Sequence, residues 1–427
     1  MHFFMERELR VRFSNELSKV YFGRWYFIMK HNLFYATGLN SDYLSTEDKY
    51  LFSRPEPIFK FNVIGSGMMG QEHIRVTMLE GRATIHGIYD PSRQSVQSAQ
   101  RMFKSMYPNR ELKIYSSLQE ACMDPEVDAL IICTPNYTHL TVVREAIKSG
   151  KHILLEKPIA TSIEDALEIK RLAEAYESVF QIGLQYRFKA IYNEAIHEVL
   201  ERKSIGDVKL INMIEHRIPF LDKVGQWNKF NDYSGGTLVE KCCHYFDIMN
   251  LFAQARPVQV YATGGQSVNF LSFEFNGKKS DIIDHASVLI TYENGIQATF
   301  NLCMFAPMFY EEITICGDEG RLKAFECTDF LPKVRDNTYL EVLGGDHRPT
   351  KISTPCYPSV IQDSGHHGGT YFEHKYFVDN IQGKRTNAAT VDDGFWSIVV
   401  GVAAQRSIES GSVIVIQELL DSLGIKQ

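Results

Sequence analysis

Ile58-Phe59-Lys60-Phe61-Asn62-Val63-Ile64-Gly65-Ser66-Gly67-Met68-Met69-Gly70 sets a short apolar run directly before a G-x-G-x-x-G turn, and the fold reads outward from that junction. The run has the length and β-branched, aromatic content of a strand. Ile74, Met78 and Leu79 follow at helical spacing, so the glycines lie between a strand and a helix. Gly65 permits a tight turn, Gly67 lets backbone approach a pyrophosphate, and Gly70 lets the helix pack closely on the strand. Met68 and Met69 sit where the helix N-terminus offers unpaired N–H groups to phosphates. Thr84 to Tyr89 forms a second strand ending in Asp90, about twenty residues beyond the last glycine, where a dinucleotide-binding unit carries its ribose carboxylate. That carboxylate accepts from both ribose hydroxyls and repels a 2′-phosphate, which favours NAD; Arg93, close by, leaves NADP open.

The alternation continues. Leu112 to Tyr115 is a short strand, Ser117 to Cys122 begins a helix, and Val127 to Cys133 is a run suited to a parallel sheet buried on both faces. It ends in Thr134-Pro135-Asn136-Tyr137-Thr138-His139, a loop expected at the ligand crevice. A helix from Leu140 to Ser149 leads to His152-Ile153-Leu154-Leu155-Glu156-Lys157-Pro158. The proline keeps Lys157 extended, so this lysine projects from a rigid edge into the same crevice. A helix from Ile163 to about Ser178 and the run Val179 to Leu184 complete a Rossmann domain over 57–184.

A chain of 427 residues has room for two domains with separate cores. Its 44% hydrophobic and 23% charged residues are those of a soluble globular protein, and a net charge of -7 gives no reason to expect nucleic acid or an anionic membrane surface as partner. Eight cysteines without a C-x-x-C spacing fit reduced thiols and a cytoplasmic location. No apolar run reaches membrane-span length. Residues 1–56 form an aromatic-rich extension with three readings: a packing arm, a mobile segment, or sequence upstream of a true start at Met29. Ser53-Arg54-Pro55-Glu56-Pro57 marks its boundary.

The second half, 185–427, reads as an α+β domain. Gly236-Thr237-Leu238-Val239-Glu240-Lys241-Cys242-Cys243-His244-Tyr245-Phe246-Asp247 carries its chemistry. On a continuous helix Glu240 and His244 lie one turn apart, a plausible acid/base dyad with Asp247 just beyond. Thr237 with Glu240 also has the T-x-x-E form of a capping box, which makes the same stretch an ordinary capped helix. Before it, Gly225 to Ser234 mixes Trp227, Phe230 and Tyr233 with polar residues, as either a carbohydrate-facing loop or plain packing. Alternating segments from Val208 through Cys316, with turns at Glu293-Asn294-Gly295 and Gly317-Asp318-Glu319-Gly320, build one large open, mostly antiparallel sheet. Helices from about Tyr371 to Gln382 and Asp392 to Ser410 close the chain. The adjacent His366 and His367 lack a third spaced ligand, so no metal site is expected.

Four motifs, strand-G-S-G-M-M-G, T-P-N-x-x-H, G-K-H-I-L-L-E-K-P and G-G-T-L-V-E-K-C-C-H, stand in the order and spacing of the glucose-fructose oxidoreductase / inositol dehydrogenase / MocA family, and the resemblance runs from about residue 58 to the C-terminus. It implies NAD bound by Gly65, Gly67, Met68, Met69, Gly70, Asp90, Thr134, Pro135, Asn136, His139, Glu156, Lys157 and Trp227. It implies catalysis by Lys157, His244 and Glu240, and a polyol or sugar held by Arg187, Lys157, Glu240 and His244. It implies that one of His366 and His367 edges the substrate pocket, and that the chain forms a homodimer or homotetramer through the second sheet. The expected reaction is hydride transfer between NAD and a secondary hydroxyl of a cyclitol, sugar or sugar derivative. Glu240 stands where relatives usually carry aspartate, Asn228 where an arginine often follows the tryptophan, and Cys242 where a glycine is expected. Two alternatives share the fold: a glycosidase that works by transient oxidation, and a non-catalytic dinucleotide-binding regulator.

Overall fold

Each apolar run of the first half becomes a strand of one sheet in the computed structural model, which describes residues 56–329, 337–346 and 348–425. The extension before residue 56, with most of its boundary, lies outside the described residues. The strands are β1 (Phe59–Ile64), β2 (Ala83–Tyr89), β3 (Lys113–Ile114), β4 (Ala129–Ile132), β5 (His152–Glu156) and β6 (Phe180–Gly183), joined by α1 (Met68–Glu80), α2 (Arg93–Met106), α3 (Leu118–Met123), α4 (His139–Ala146) and α5 (Ile163–Glu174). Their order is β3-β2-β1-β4-β5-β6, parallel throughout. It reverses direction between β1 and β4, and such a switch point opens a crevice beyond the carboxyl ends of the strands. Every residue of β4 is buried, because helices cover both faces, and that is why its sequence is continuously apolar. Ser92, Ser117 and Ser162 each accept a backbone N–H at the start of α2, α3 and α5, satisfying donors the helices leave open.

Close packing fixes the glycine turn. A Cβ on Gly70 would stand 2.0 Å from the Gly65 carbonyl oxygen, so α1 and β1 meet at backbone contact. Gly65 has φ +92°, a left-handed conformation that side chains resist. Around Gly67, by contrast, nothing lies within 4 Å of where a Cβ would be.

The second half begins with α6 (Ala190–Ile196), which loosens into a π turn over His197–Glu201. Three short helices follow the first strand of the next sheet: α7 (Asn231–Ser234), α8 (Thr237–Glu240) and α9 (Cys243–Ala253). The sheet contains β7 (Val208–His216), β8 (Pro257–Gly265), β11 (His285–Tyr292), β12 (Gln297–Cys303), β13 (Met308–Gly317), β14 (Arg321–Asp329), β15 (Asn337–Leu343), β16 (Lys351–Ser353) and β17 (Ile414–Val415), while β9 (Glu274–Phe275) and β10 (Lys278–Lys279) form a separate hairpin. Its order is β16-β15-β14-β13-β7-β12-β11-β8-β17, antiparallel except for the β7–β12 pair. Both expected turns are hairpins, joining β11 to β12 and β13 to β14. One face carries α9 and α12 (Val391–Ser410), which packs on β8, α9 and α5, while after the one-turn α10 (Ser359–Gln362) the helix α11 (Gly369–Ile381) packs on α1 of the first half. A capping box of Thr390 and Asp393 starts α12, and a Cβ on Gly401 would lie 2.7 Å from the Leu238 carbonyl, so α12 presses against α8.

Candidate active site

Two segments far apart in sequence meet at the crevice. Lys157 leaves the end of β5, ahead of a cis bond to Pro158, and donates to the Glu240 main-chain carbonyl at 3.0 Å. Among the described residues that is its one hydrogen bond, so two of the three N–H donors of an ammonium stay available. Burial works to lower its pKa, but the negative charges of Glu240 and Glu156 outweigh burial and hold it above the ordinary value. Lys157 is therefore a charged donor, not a base.

His244 is its opposite. The imidazole is buried, stacks on Tyr186 with ring centroids 3.9 Å and planes 10° apart, and leaves Nδ1 without a hydrogen-bond partner. Burial first, then the positive charges of Lys157 and Lys241, push its pKa well below 6.5. A neutral imidazole carries one nitrogen lone pair, with which it can accept a proton.

The expected Glu240–His244 dyad does not form. The helix breaks between α8 and α9, at Lys241 and Cys242, so the two side chains do not share one helical face. The Glu240 carboxylate pairs with Lys223 at 3.0 Å, and the Lys223 ammonium lies 4.3 Å over the Trp227 ring. Its pKa stays below the usual carboxylate range because Lys157 and Lys223 more than offset burial. Nor is there a capping box: Gly236 is the N-cap, and the Thr237 hydroxyl donates instead to the Ile283 carbonyl at 2.6 Å. Tertiary contact sets the start of the helix. A Cβ on Gly236 would lie 1.7 Å from the Gln405 amide, so this turn is wedged against α12 and follows its neighbour rather than its own propensity.

Arg187 is likewise corrected. Its Nε donates to Asp247 at 2.6 Å, its Nη2 to the other Asp247 oxygen, and Nη2 also lies 2.9 Å from Asp393. A buried guanidinium held by two carboxylates is not offered to substrate; it fixes the neighbouring Tyr186 under His244. Three other expected contacts are spent inside the protein. The His139 ring bridges the carbonyls of Pro158 and Thr134, Asn136 donates to the Ser234 carbonyl at 3.1 Å, and Glu156 engages His73 at 2.8 Å and the Lys157 N–H at 3.0 Å. These side chains shape the T-P-N and E-K-P loops, leaving the loop backbones to face a ligand. Thr134 accepts from Thr138 at 2.9 Å at the head of the same loop.

Sequence reading missed Tyr186, although it directly precedes Arg187, and missed the line that continues from it. Lys241 donates to the Tyr186 hydroxyl at 2.6 Å and pairs with Glu215 at 3.2 Å. Cys243 sends its S–H toward the Glu240 carbonyl at 3.7 Å, and burial raises its pKa to about 12, which makes it an inert thiol. In the aromatic loop Phe230 joins the core, and the exposed Tyr233 lies with its ring tilted against Tyr137, centroids 5.1 Å apart. His366 and His367 diverge, to Glu72 at 2.7 Å and Glu326 at 2.5 Å, and the His366 ring comes within 6.0 Å of Tyr186.

The glycine turn fits a dinucleotide. α1 starts at Gly67 with no side-chain cap, and the open space at Gly67 leaves those N–H groups accessible. Asp90 accepts from the Ser66 and Ser92 N–H groups, each at 2.7 Å, which holds its carboxylate at the rim of the turn. Met68 is exposed there, and Met69 partly so.

Residues 59–184 match the family described as an oxidoreductase family with an NAD-binding Rossmann fold, and residues 197–416 match its C-terminal alpha/beta domain. The chain is 25% identical to the uncharacterized oxidoreductase YrbE of Bacillus subtilis over 83% of this chain and 96% of that protein. It is 23% identical to the myo-inositol 2-dehydrogenase of Thermotoga maritima over 84% of this chain and 99% of that one. Among solved structures, levoglucosan dehydrogenase in complex with NADH and levoglucosan shares the fold with a TM-score of 0.69 at 18% identity, covering 84% of this chain and 99% of that one. With both halves matched in order over most of its length, the chain belongs to the Gfo/Idh/MocA family of NAD-binding oxidoreductases.

Proposed function

We propose that this protein oxidises a secondary hydroxyl of a cyclitol, sugar or sugar derivative, with Lys157 holding the hydroxyl oxygen and His244 taking its proton. The observation that carries the reading is the hydrogen bond from the Lys157 ammonium to the Glu240 carbonyl, which brings a charged donor from the end of β5 to the segment that carries the neutral His244. NAD, when bound, supplies the hydride acceptor. Tyr186 stacks on the imidazole, and Lys223 links the Glu240 carboxylate to the Trp227 ring. The names of two relatives, a myo-inositol dehydrogenase and a levoglucosan dehydrogenase, support a ring polyol or anhydrosugar. In this reading residues 57–184 hold the cofactor and 185–427 the substrate. Exposed Leu210, Tyr261 and Leu289 share the outer face of the second sheet, which supports a homodimer or homotetramer through it.

The test is a screen of inositols, aldoses and anhydrosugars, with NAD and NADP supplied separately, following reduced nicotinamide. Substrate-dependent reduction of NAD is the expected result. Release of sugar from an aryl glycoside without net reduction would select the glycosidase reading, and tight NAD binding without any turnover the regulator. Asp90 supplies a further prediction. Asp90→Ala raises KM for NAD by about tenfold, the value of hydrogen bonds to a charged group, and narrows the preference over NADP. Equal losses with both cofactors would mean that the carboxylate only builds the turn.

A further inference from the structure

Behind the E-K-P edge lies a second cluster of titratable groups that the proton transfer does not use. His73 and Thr77 come from α1, Glu156 from the end of β5, and Glu373 and His374 from α11, and all of them are buried. His73 Nε2 faces Glu156 Oε1 at 2.8 Å, and His374 Nδ1 faces the Thr77 hydroxyl at 3.2 Å. The remaining ring nitrogens, His73 Nδ1 and His374 Nε2, point at each other across 2.7 Å. One oxygen of Glu373 completes the group, with the three ligand atoms within 4.8 Å of one another. Glu373 is 0% exposed, yet neither of its oxygens has a hydrogen-bond partner.

Two physical problems meet here. A buried carboxylate without donors is costly, and a second carboxylate nearby makes it worse. Gly183 shows how close that second one is: a Cβ there would stand 3.1 Å from the Glu156 Cα and 3.2 Å from Glu373 Oε1. The ring protons add the second problem. The Thr77 hydroxyl donates to the His73 carbonyl at 2.8 Å, so it receives the proton of His374 Nδ1. Glu156 receives the proton of His73 Nε2. Two nitrogen lone pairs then converge beside a carboxylate, with nothing positive between them.

We propose that His73 Nδ1, His374 Nε2 and the Glu373 carboxylate bind a divalent transition-metal ion of the zinc class. Two imidazoles and one carboxylate are a donor set zinc accepts, with water completing a tetrahedron. Zinc–nitrogen bonds of about 2.0–2.1 Å put two tetrahedral donors roughly 3.3 Å apart, so the rings need to part by about half an ångström. Glu156 on His73 and Thr77 on His374 are the outer partners that orient metal-bound histidines. The ion ties α1, which starts at the cofactor turn, to α11, and through Glu156 it braces the backbone of Lys157. It is a structural clamp, distinct from His366 and His367, which diverge to other carboxylates.

The full chain, produced without a histidine tag, is analysed for metal by mass spectrometry, then stripped with chelator and titrated with zinc while thermal unfolding is followed. About one equivalent per chain is expected, with a midpoint that falls by roughly 4 °C or more on stripping and returns with zinc. Cobalt(II) added to the stripped chain should give visible d–d absorption. Glu373→Gln and His374→Phe should lose both the ion and the zinc response, whereas His366→Ala should keep both. Less than about a tenth of an equivalent, with no zinc-dependent midpoint in the unmodified chain, overturns the proposal and leaves a metal-free hydrogen-bond chain from Thr77 through both histidines to Glu156. Retention of metal by both ligand variants overturns it as well. Should those variants fail to fold, metal content and zinc response of the unmodified chain decide.

Discussion

Lys157→Met lowers kcat by about 10²-fold or more while the Kd for NAD changes less than about threefold. The ammonium is held charged by Glu240 and Glu156 against the pull of burial, and only one of its donors is engaged, by the Glu240 carbonyl. The other donors are free to follow the substrate oxygen as negative charge builds on it, which is where a fixed charge in a dry site has most effect. Methionine keeps the length and apolar stem but removes that charge. The glycine turn and Asp90, which face the rest of the dinucleotide, are untouched. Stopped-flow or steady-state turnover with the substrate found by screening, alongside fluorescence titration of NAD, separates the two effects. A variant with near-normal kcat removes Lys157 from the chemistry, and one that loses NAD binding in proportion makes it a cofactor contact only.

The parallel half was legible because its physics is local. Strands buried on both faces must be apolar throughout, and the turn that follows β1 needs glycine where a Cβ would strike backbone at 2.0 Å. The second sheet was legible up to β13 and then not. In β14, buried Leu322 and Ala324 alternate with Arg321 and Lys323, and the buried face goes on to a charged residue, Glu326, so charge conceals the half-buried pattern; β16 and β17 are too short to carry a period. The site was legible as residues but not as partnerships. Glu240 and His244 have helical spacing, yet the helix breaks between them at Lys241 and Cys242. Arg187 bonds to Asp247, sixty positions away in the chain, and His73 meets His374 from near the far end of it; no local pattern reveals such choices. His366 and His367, adjacent in sequence, point apart because both lie on a turn with positive φ, so their separate carboxylate partners could not be read from the pair.

His244→Ala lowers kcat by about 10²-fold or more, and the pH profile identifies the residue as the proton acceptor. Oxidation needs the imidazole neutral, so kcat/KM rises with pH through its pKa and is lost as pH falls below it. Burial, Lys157 and Lys241 place that pKa well under 6.5, so the acid limb lies below pH 6.5 and activity is flat through neutrality. Removing either positive charge lets the imidazole hold its proton more readily. The limb therefore moves to higher pH in Lys157→Met and, by the same sign, in Lys241→Met, which is the easier measurement because Lys241 touches Tyr186 rather than the substrate oxygen. Lys223→Met serves as the control: its ammonium is paired with Glu240 and is not among the charges that set the His244 shift. An acid limb above 6.5, or one that keeps its midpoint in His244→Ala, would assign the proton to another group. A limb that moves with Lys157 and Lys241 but not with Lys223 ties the titrating group to the imidazole stacked on Tyr186.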